Sequence, residues 1–195
     1  MVHGENGGIV TTLAAIQGDG WAVIGADSYV IDNGHIWSTP KSSGKIFKQD
    51  GYIIALAGDW RPAQIFQHNT AYPKPPTKPT PQELDRFIAQ EFVPTMQDAL
   101  AEAKYVVDKE NDFSILVAVC GVIYNIDADM GWARDRRGYY QGGTGGPYAL
   151  GAMNAWQYPE TIDAAKEIVK KALAIACQYD NGSGEPTIVY VQSNG

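Results

Sequence analysis

Continuous apolar runs, rather than alternating ones, mark the predicted strands at the start of this sequence. Residues 9–16 (IVTTLAAI) and 21–26 (WAVIGA) are apolar on both faces, and residues 17–20 between them (QGDG) have the composition of a tight turn. Strands that are apolar on both faces are typical of a sheet covered on both sides. The pattern therefore predicts an opening hairpin within a covered sheet.

Turn residues divide the later apolar runs into two more hairpins and two single strands. The predicted strands are residues 45–48, 52–57, 113–119, 122–126, a short strand from 139, and residues 186–192. The stretch 27–43 is polar and contains no such run, so it is predicted to be a loop.

Helical patterns follow the strands in two places. Thr80 to Glu83 (TPQE) combines a capping threonine, a proline at the first helical position and a glutamate three residues after the cap, and apolar side chains recur at helical spacing as far as Leu100. Residues 161–177 predict a long amphipathic helix, and the proline-rich residues 71–81 predict a surface loop. Runs of strands followed by runs of helices predict an α+β fold, with two antiparallel sheets packed face to face and helices on both outer sides.

Composition and charge exclude several classes of protein. The 195 residues suit one domain, and their net charge of −7, without a basic block, argues against nucleic-acid or anionic-membrane partners. No apolar run approaches the roughly 18–20 residues of a membrane span, and the first ten residues lack the features of a signal peptide. We therefore expect a cytoplasmic protein whose two cysteines, Cys120 and Cys177, are buried reduced thiols.

Several common catalytic arrangements are missing from the sequence. The three histidines have no metal-binding spacing, and none accompanies a GxSxG motif. The glycine-rich segment QGGTGG lacks the lysine of a phosphate-binding loop. These absences argue against a metal hydrolase and against a Ser-His-Asp hydrolase.

A series of short motifs remains, and each alone has an ordinary structural explanation as a strand or a turn. In chain order they are Thr11-Thr12, Ala26-Asp27-Ser28, Lys45-Ile46, Ala57-Gly58, Gly143-Thr144-Gly145 followed by Tyr148-Ala149-Leu150-Gly151, and Asp180 to Gly184. Together, in this order and spacing, they resemble the proteasome β-subunit and its bacterial relative, the HslV peptidase. These proteins are N-terminal-nucleophile hydrolases with a four-layer αββα fold, and the resemblance runs from Thr11 to about Val191.

The resemblance implies a threonine peptidase without a cofactor or metal. Thr11 would be the nucleophile, and its own α-amine would be the base, since a free α-amine has a pKa of about 7.7–8.0. Lys45 would lower the pKa of both groups as a nearby cation, and Asp27 would pair with Lys45 and keep it charged.

Further residues of the implied site would stabilise the oxyanion and orient the amine and a water molecule. The amide of Gly58 would donate to the tetrahedral oxyanion. Thr144, Asp180 and Ser183 would orient the amine and a water molecule, with Thr144 standing where the family has serine.

The resemblance divides the chain into a propeptide-like leader, residues 1–10, and a single proteasome-β-like domain, residues 11–195. The family cleaves after a glycine, but here Val10 precedes Thr11. The family's usual arginine after Asp-Ser is Tyr29, the threonine two positions further is Ile31, and Asp59-Trp60 replaces small residues after Gly58.

Two functions therefore stay open: a threonine peptidase or its zymogen, with an amidase on small molecules as a variant, and an uncleaved, inactive subunit that serves assembly. The implied partners are identical subunits in a ring-like homo-oligomer, a polypeptide substrate, and an ATPase unfoldase or a larger particle. The candidate contact segments are residues 37–40, residues 71–81, Trp132 and Trp156.

Overall fold

The computed structural model describes residues 10–32, 34–41, 44–108 and 112–193. The strands are β1 (Leu13–Gln17), β2 (Trp21–Ala26), β3 (Tyr29–Asp32), β4 (His35–Ser38), β5 (Ile46–Gln49), β6 (Tyr52–Gly58), β7 (Phe113–Val119), β8 (Val122–Asp127), β9 (Trp132–Ala133), β10 (Tyr139–Gly142) and β11 (Ile188–Ser193). The helices are α1 (Trp60–His68), α2 (Pro81–Phe87), a π-helical turn (Ile88–Phe92), α3 (Val93–Glu102), α4 (Gly146–Asn154) and α5 (Ile162–Tyr179).

Two antiparallel sheets form the centre of the molecule. One has four strands in the order β10-β1-β2-β11, and the other has five in the order β5-β6-β7-β8-β9. Apolar side chains from both sheets, among them Leu13, Ile24, Ile53 and Leu116, form one buried cluster, so the sheets pack face to face. The predicted arrangement of two antiparallel sheets is confirmed.

Helices cover both outer faces of the sheet sandwich. The outer face of the four-stranded sheet packs against α4 and α5, with Val169 and Leu173 of α5 fully buried. The five-stranded sheet packs against α1, α2, the π-helical turn and α3 through a cluster that includes Phe66 and Phe92. The strands are apolar on both faces because each sheet is covered by a sheet on one side and by helices on the other.

Local signals explain where several elements begin and end. Thr80 caps α2 in a reciprocal capping box with Glu83, as its sequence predicts. Asp59 caps α1 by accepting a hydrogen bond from the backbone N–H of Arg61. No helix in the described part of the chain is long and apolar enough to cross a membrane.

The structure corrects the sequence prediction in three places. The predicted loop 27–43 contains the β3–β4 hairpin, a separate two-stranded sheet whose β4 side chains are all exposed. The first strand begins at Leu13, later than predicted, and residue 9 lies outside the described residues. Strand β9 is too short, at two residues, to leave a sequence pattern.

Candidate active site

The peptide bond between Val10 and Thr11 lies just before β1 begins, where the side chains of Thr11 and Lys45 meet. The Thr11 hydroxyl is buried and donates a hydrogen bond to the carbonyl oxygen of Val10 at 2.5 Å. The Lys45 ammonium donates to the same oxygen at 3.2 Å. A carbonyl that receives both donors is polarised toward nucleophilic attack.

Asp27 holds Lys45 in place from the carboxyl end of β2. The Lys45 ammonium lies 2.7 Å from a carboxylate oxygen of Asp27, and the two side chains are 3% and 0% exposed. The same oxygen accepts the backbone N–H of Thr12 at 2.9 Å, while the other accepts those of Tyr29 at 3.0 Å and Gly184 at 3.1 Å. The carboxylate is therefore bonded on both oxygens and has little freedom to move.

The electrostatic state of Lys45 reflects two opposing effects. Burial lowers the pKa of its ammonium from the ordinary value of 10.5, and the charge and hydrogen bond of Asp27 oppose that lowering. Loss of water therefore outweighs the attraction to the carboxylate. An amine in this state gives up a proton more readily than a lysine at the surface.

A chain of hydroxyl groups and a carboxylate forms the other side of the site. The Thr12 and Ser183 hydroxyls lie 2.6 Å apart, and Ser183 donates to the Asp180 carboxylate at 2.5 Å. The Thr144 hydroxyl donates to the same carboxylate oxygen at 3.0 Å. Asp180 thus orients Thr144 from the end of α5.

Glycines bring the backbone of residues 143–145 against Thr11. The N–H of Gly145 donates to the carbonyl oxygen of Thr11 at 3.2 Å. Gly143 has a φ of +75°, and a side chain there would overlap the Thr11 carbonyl. A Cβ at Gly145 would overlap the Thr12 hydroxyl. Close approach, together with the positive φ of Gly143, explains why this segment is rich in glycine.

Gly58 lies at the end of β6, the neighbour of β5 in the five-stranded sheet. Its φ is +122°, and a Cβ there would lie 2.5 Å from the Cα of Phe113. Only glycine fits this position. The role of its amide toward an oxyanion stays a prediction.

The structure brings most of the predicted residues into two contacting groups. Thr11, Lys45 and Asp27, which the family resemblance implies for the site, are joined through the Val10 carbonyl and the ion pair. Thr144, Asp180 and Ser183 form the hydrogen-bonded chain. The described residues contain no group of three or more His, Cys, Asp or Glu that could hold a metal ion.

Sequence reasoning missed two participants in the site. Thr12 contributes its N–H to Asp27 and its hydroxyl to Ser183, although its position beside Thr11 was the available signal. The N–H of Gly184 also bonds Asp27, and that contact across 157 residues leaves no local pattern.

The structure also has room for residues that differ from the family's usual ones. The ring of Tyr29 lies against Gly184, where a Cβ would overlap it. Trp60 is half-buried against the core beneath the five-stranded sheet, and Asp59 accepts a hydrogen bond from the Tyr105 hydroxyl at 2.9 Å. Asp59 and Trp60 therefore belong to the start of α1 and its packing.

Comparison with known proteins identifies the fold. No protein-family model matches the sequence, and no curated protein matches it. Among solved structures, Thiobacillus denitrificans BPH in complex with epoxomicin matches with a TM-score of 0.74 and 22% identity, over 95% of this chain and 100% of that one. A second structure of the same BPH gives 0.74 and 23%, over 95% and 99% of the two chains.

A eukaryotic HslV, from Trypanosoma brucei, also matches, with a TM-score of 0.64 and 21% identity over 94% of this chain and 99% of that one. At such identities the likeness shows the fold. The chain has the HslV fold, and the predicted four-layer αββα sandwich is confirmed.

Proposed function

We propose that this protein is a threonine-type N-terminal-nucleophile peptidase, in which Thr11 becomes the nucleophile after residues 1–10 are released. One observation carries the proposal. The Thr11 hydroxyl and the Lys45 ammonium both donate to the carbonyl oxygen of the peptide bond that must break. A strand start with no catalytic role has no need for a buried lysine at this carbonyl, because burying an ammonium is costly.

Release of residues 1–10 would proceed in two steps. The Thr11 oxygen attacks the Val10 carbonyl carbon, the bond from that carbon to the Thr11 nitrogen breaks, and the nitrogen takes up the proton that the hydroxyl loses. An ester now joins Val10 to the Thr11 oxygen. Water then hydrolyses the ester, which leaves a carboxylate on Val10 and restores the Thr11 hydroxyl beside a free α-amine.

The same groups would then cleave a polypeptide substrate. The α-amine of Thr11 takes the hydroxyl proton as the oxygen attacks a substrate carbonyl, and later returns a proton to the leaving amine. Lys45 lowers the pKa of the amine as a nearby cation. The amide of Gly58 receives the oxyanion, and the chain of Thr144, Asp180 and Ser183 orients the amine and the water. No metal or cofactor takes part.

The comparisons support a peptidase. The matched BPH structure contains epoxomicin, and the second matched protein is an HslV. From these matches we propose that the protein acts on a peptide substrate and forms a ring-like homo-oligomer. An ATPase unfoldase or a larger particle would be its further partner. Exposed apolar side chains offer contact surface, since Trp37 is 61% and Trp156 is 46% exposed. Trp132, in contrast, packs against the Tyr124 ring.

The second candidate is an uncleaved, inactive subunit that serves assembly. It is favoured by Val10, because a β-branched residue is stiff and crowds the turn that self-cleavage needs. A third, an amidase acting on small molecules, would use the same Thr11 chemistry.

Intact mass tests these candidates. We expect the full-length protein to lose residues 1–10. Thr11→Ala should keep its full mass. Protein that begins at Thr11 should then hydrolyse peptide amides. If Val10→Gly stays full length, and protein produced with Thr11 as its first residue has no turnover on peptides or small amides, the inactive subunit is the correct account.

A further inference from the structure

Val10 is held by its side chain as well as by its carbonyl. Its side chain is half-buried and lies against Gly182, in the loop between α5 and β11 that also carries Asp180 and Ser183. A Cβ added to Gly182 would overlap Cγ1 of Val10 and would lie 2.8 Å from its Cβ and 3.3 Å from its Cα. All three nearest atoms belong to Val10.

The φ angle at position 182 does not demand a glycine. It is absent from the glycines with a positive φ, whereas Gly58 and Gly143 have φ values of +122° and +75°. The φ of residue 182 therefore does not by itself exclude alanine. The atoms nearest to the space that the missing side chain leaves are those of Val10.

The contact with Gly182 bears on whether the branched Val10 side chain hinders self-cleavage. A β-branched residue before Thr11 is expected to crowd the turn. Here Gly182 supplies the room that the branched side chain needs. Val10 is therefore held at two points, with its side chain against Gly182 and its carbonyl oxygen on Lys45.

We propose that Gly182 is a positioning residue for self-cleavage, which seats the Val10 side chain and so holds the Val10 carbonyl against the Thr11 hydroxyl. The inference rests on the proposed function. It assigns to Gly182 no contact with the reacting atoms. It implies that the residue at 182 and the residue at 10 determine the processing rate together.

A double-mutant cycle on the full chain tests this inference. The rate at which residues 1–10 are lost is measured by intact mass for the parent, Gly182→Ala, Val10→Gly and the double variant. Overpacking by one methyl group should slow processing by about 10- to 100-fold when Val10 is present. With Val10→Gly, the same substitution should change the rate less than about twofold. Gly151→Ala is the matched control, because a Cβ there meets nothing within 4 Å.

A second cycle measures the contact without cleavage. In the Thr11→Ala background, Gly182→Ala should lower the urea midpoint of unfolding with Val10 and leave it unchanged with Val10→Gly. Processing that slows equally in both backgrounds, or not at all, overturns the role of Gly182 while leaving the peptidase intact. If no chain loses residues 1–10, the role of Gly182 in self-cleavage fails even where the stability coupling is present. The proposed function fails too when protein that begins at Thr11 has no turnover.

Discussion

The carbonyl oxygen of Val10 accepts a hydrogen bond from the ammonium of Lys45 at 3.2 Å, across a separation of 35 residues. This contact exists because the two sheets pack face to face, which brings the start of β5 to the residues that precede β1. Lys45 thus links two groups, the Asp27 carboxylate and the peptide bond ahead of Thr11. The fold places a cation at the peptide bond whose cleavage would make Thr11 the N-terminal residue.

Removing Asp27 and removing Lys45 should lower the free energy of unfolding by unequal amounts. Asp27→Asn leaves the Lys45 ammonium buried without a countercharge, and we expect it to lower the free energy of unfolding by about 3–5 kcal/mol. Lys45→Met should cost less, because the carboxylate keeps three backbone N–H donors. Both should abolish processing and turnover. Urea unfolding measures the difference.

Glu167→Gln provides the control for the ion pair. It breaks an exposed pair with Lys170 on α5 and should leave the urea midpoint unchanged. If Asp27→Asn unfolds at the same urea concentration as Glu167→Gln, the buried pair does not hold the site together.

The Thr144 hydroxyl should matter more than its methyl group. It donates to the Asp180 carboxylate at 3.0 Å. We therefore expect Thr144→Ser to keep kcat/KM and Thr144→Val to lower it by about tenfold, measured on protein that begins at Thr11. Thr95→Val is the control, since Thr95 bonds the Glu91 carbonyl on the helices below the other sheet. Equal kcat/KM values for Thr144→Ser and Thr144→Val would show that the Thr144 hydroxyl has no role in the site.

Cys177 should be protected from alkylation in the native protein. Burial raises the pKa of its thiol to about 11, from an ordinary value of 9.0. At a pH of about 8 the native thiolate fraction is then about 100-fold smaller than the unfolded one, so iodoacetamide should react correspondingly slowly. The unfolded chain loses this proton first. The contribution of Cys177 to stability therefore falls as the pH rises from 9.0 to about 11.

Mass spectrometry of Cys120→Ser checks this prediction, because Cys177 is then the only thiol in the sequence. The labelling rate should rise about tenfold per pH unit below the native pKa. Native protein that labels as fast as protein in urea would show an open path to the thiol.

Much of the fold is predictable because hairpins and helix caps are local signals. The Gly-Asp-Gly turn before Trp21 and the capping box at Thr80 lie within a few residues of the elements they determine. The β3–β4 hairpin escapes prediction because its β4 side chains, including Ile36 and Trp37, are exposed and face no core. The π-helical turn at Ile88–Phe92 changes the hydrogen-bond register without changing the apolar spacing.

The candidate site was predictable only in part. Its charged and hydroxyl residues were identified by resemblance to a known family, since no local rule joins Asp27 to Lys45 or Asp180 to Thr144. The seat of Val10 on Gly182 was not predictable, because it depends on the absence of one methyl group in a loop 172 positions away. Such contacts appear only when the packed structure is known.

The β3–β4 hairpin should contribute to assembly. Ile36 and Trp37 are 58% and 61% exposed and lie next to each other on β4. We expect the parent to be an oligomer by light scattering at micromolar concentration, and Trp37→Glu to dissociate it. Val106→Lys, at a side chain that is 67% exposed elsewhere, is the control. A monomeric parent would contradict the ring.

Covalent trapping shows directly whether Thr11 is the nucleophile. Protein that begins at Thr11 is incubated with epoxomicin, the compound in the matched BPH structure, and the adduct is located by peptide mass spectrometry. We expect one adduct per chain, on Thr11, and none on Thr11→Ala or on protein that retains residues 1–10. An unmodified Thr11 in folded protein, or an adduct on another residue, would contradict the assignment of Thr11 as the nucleophile.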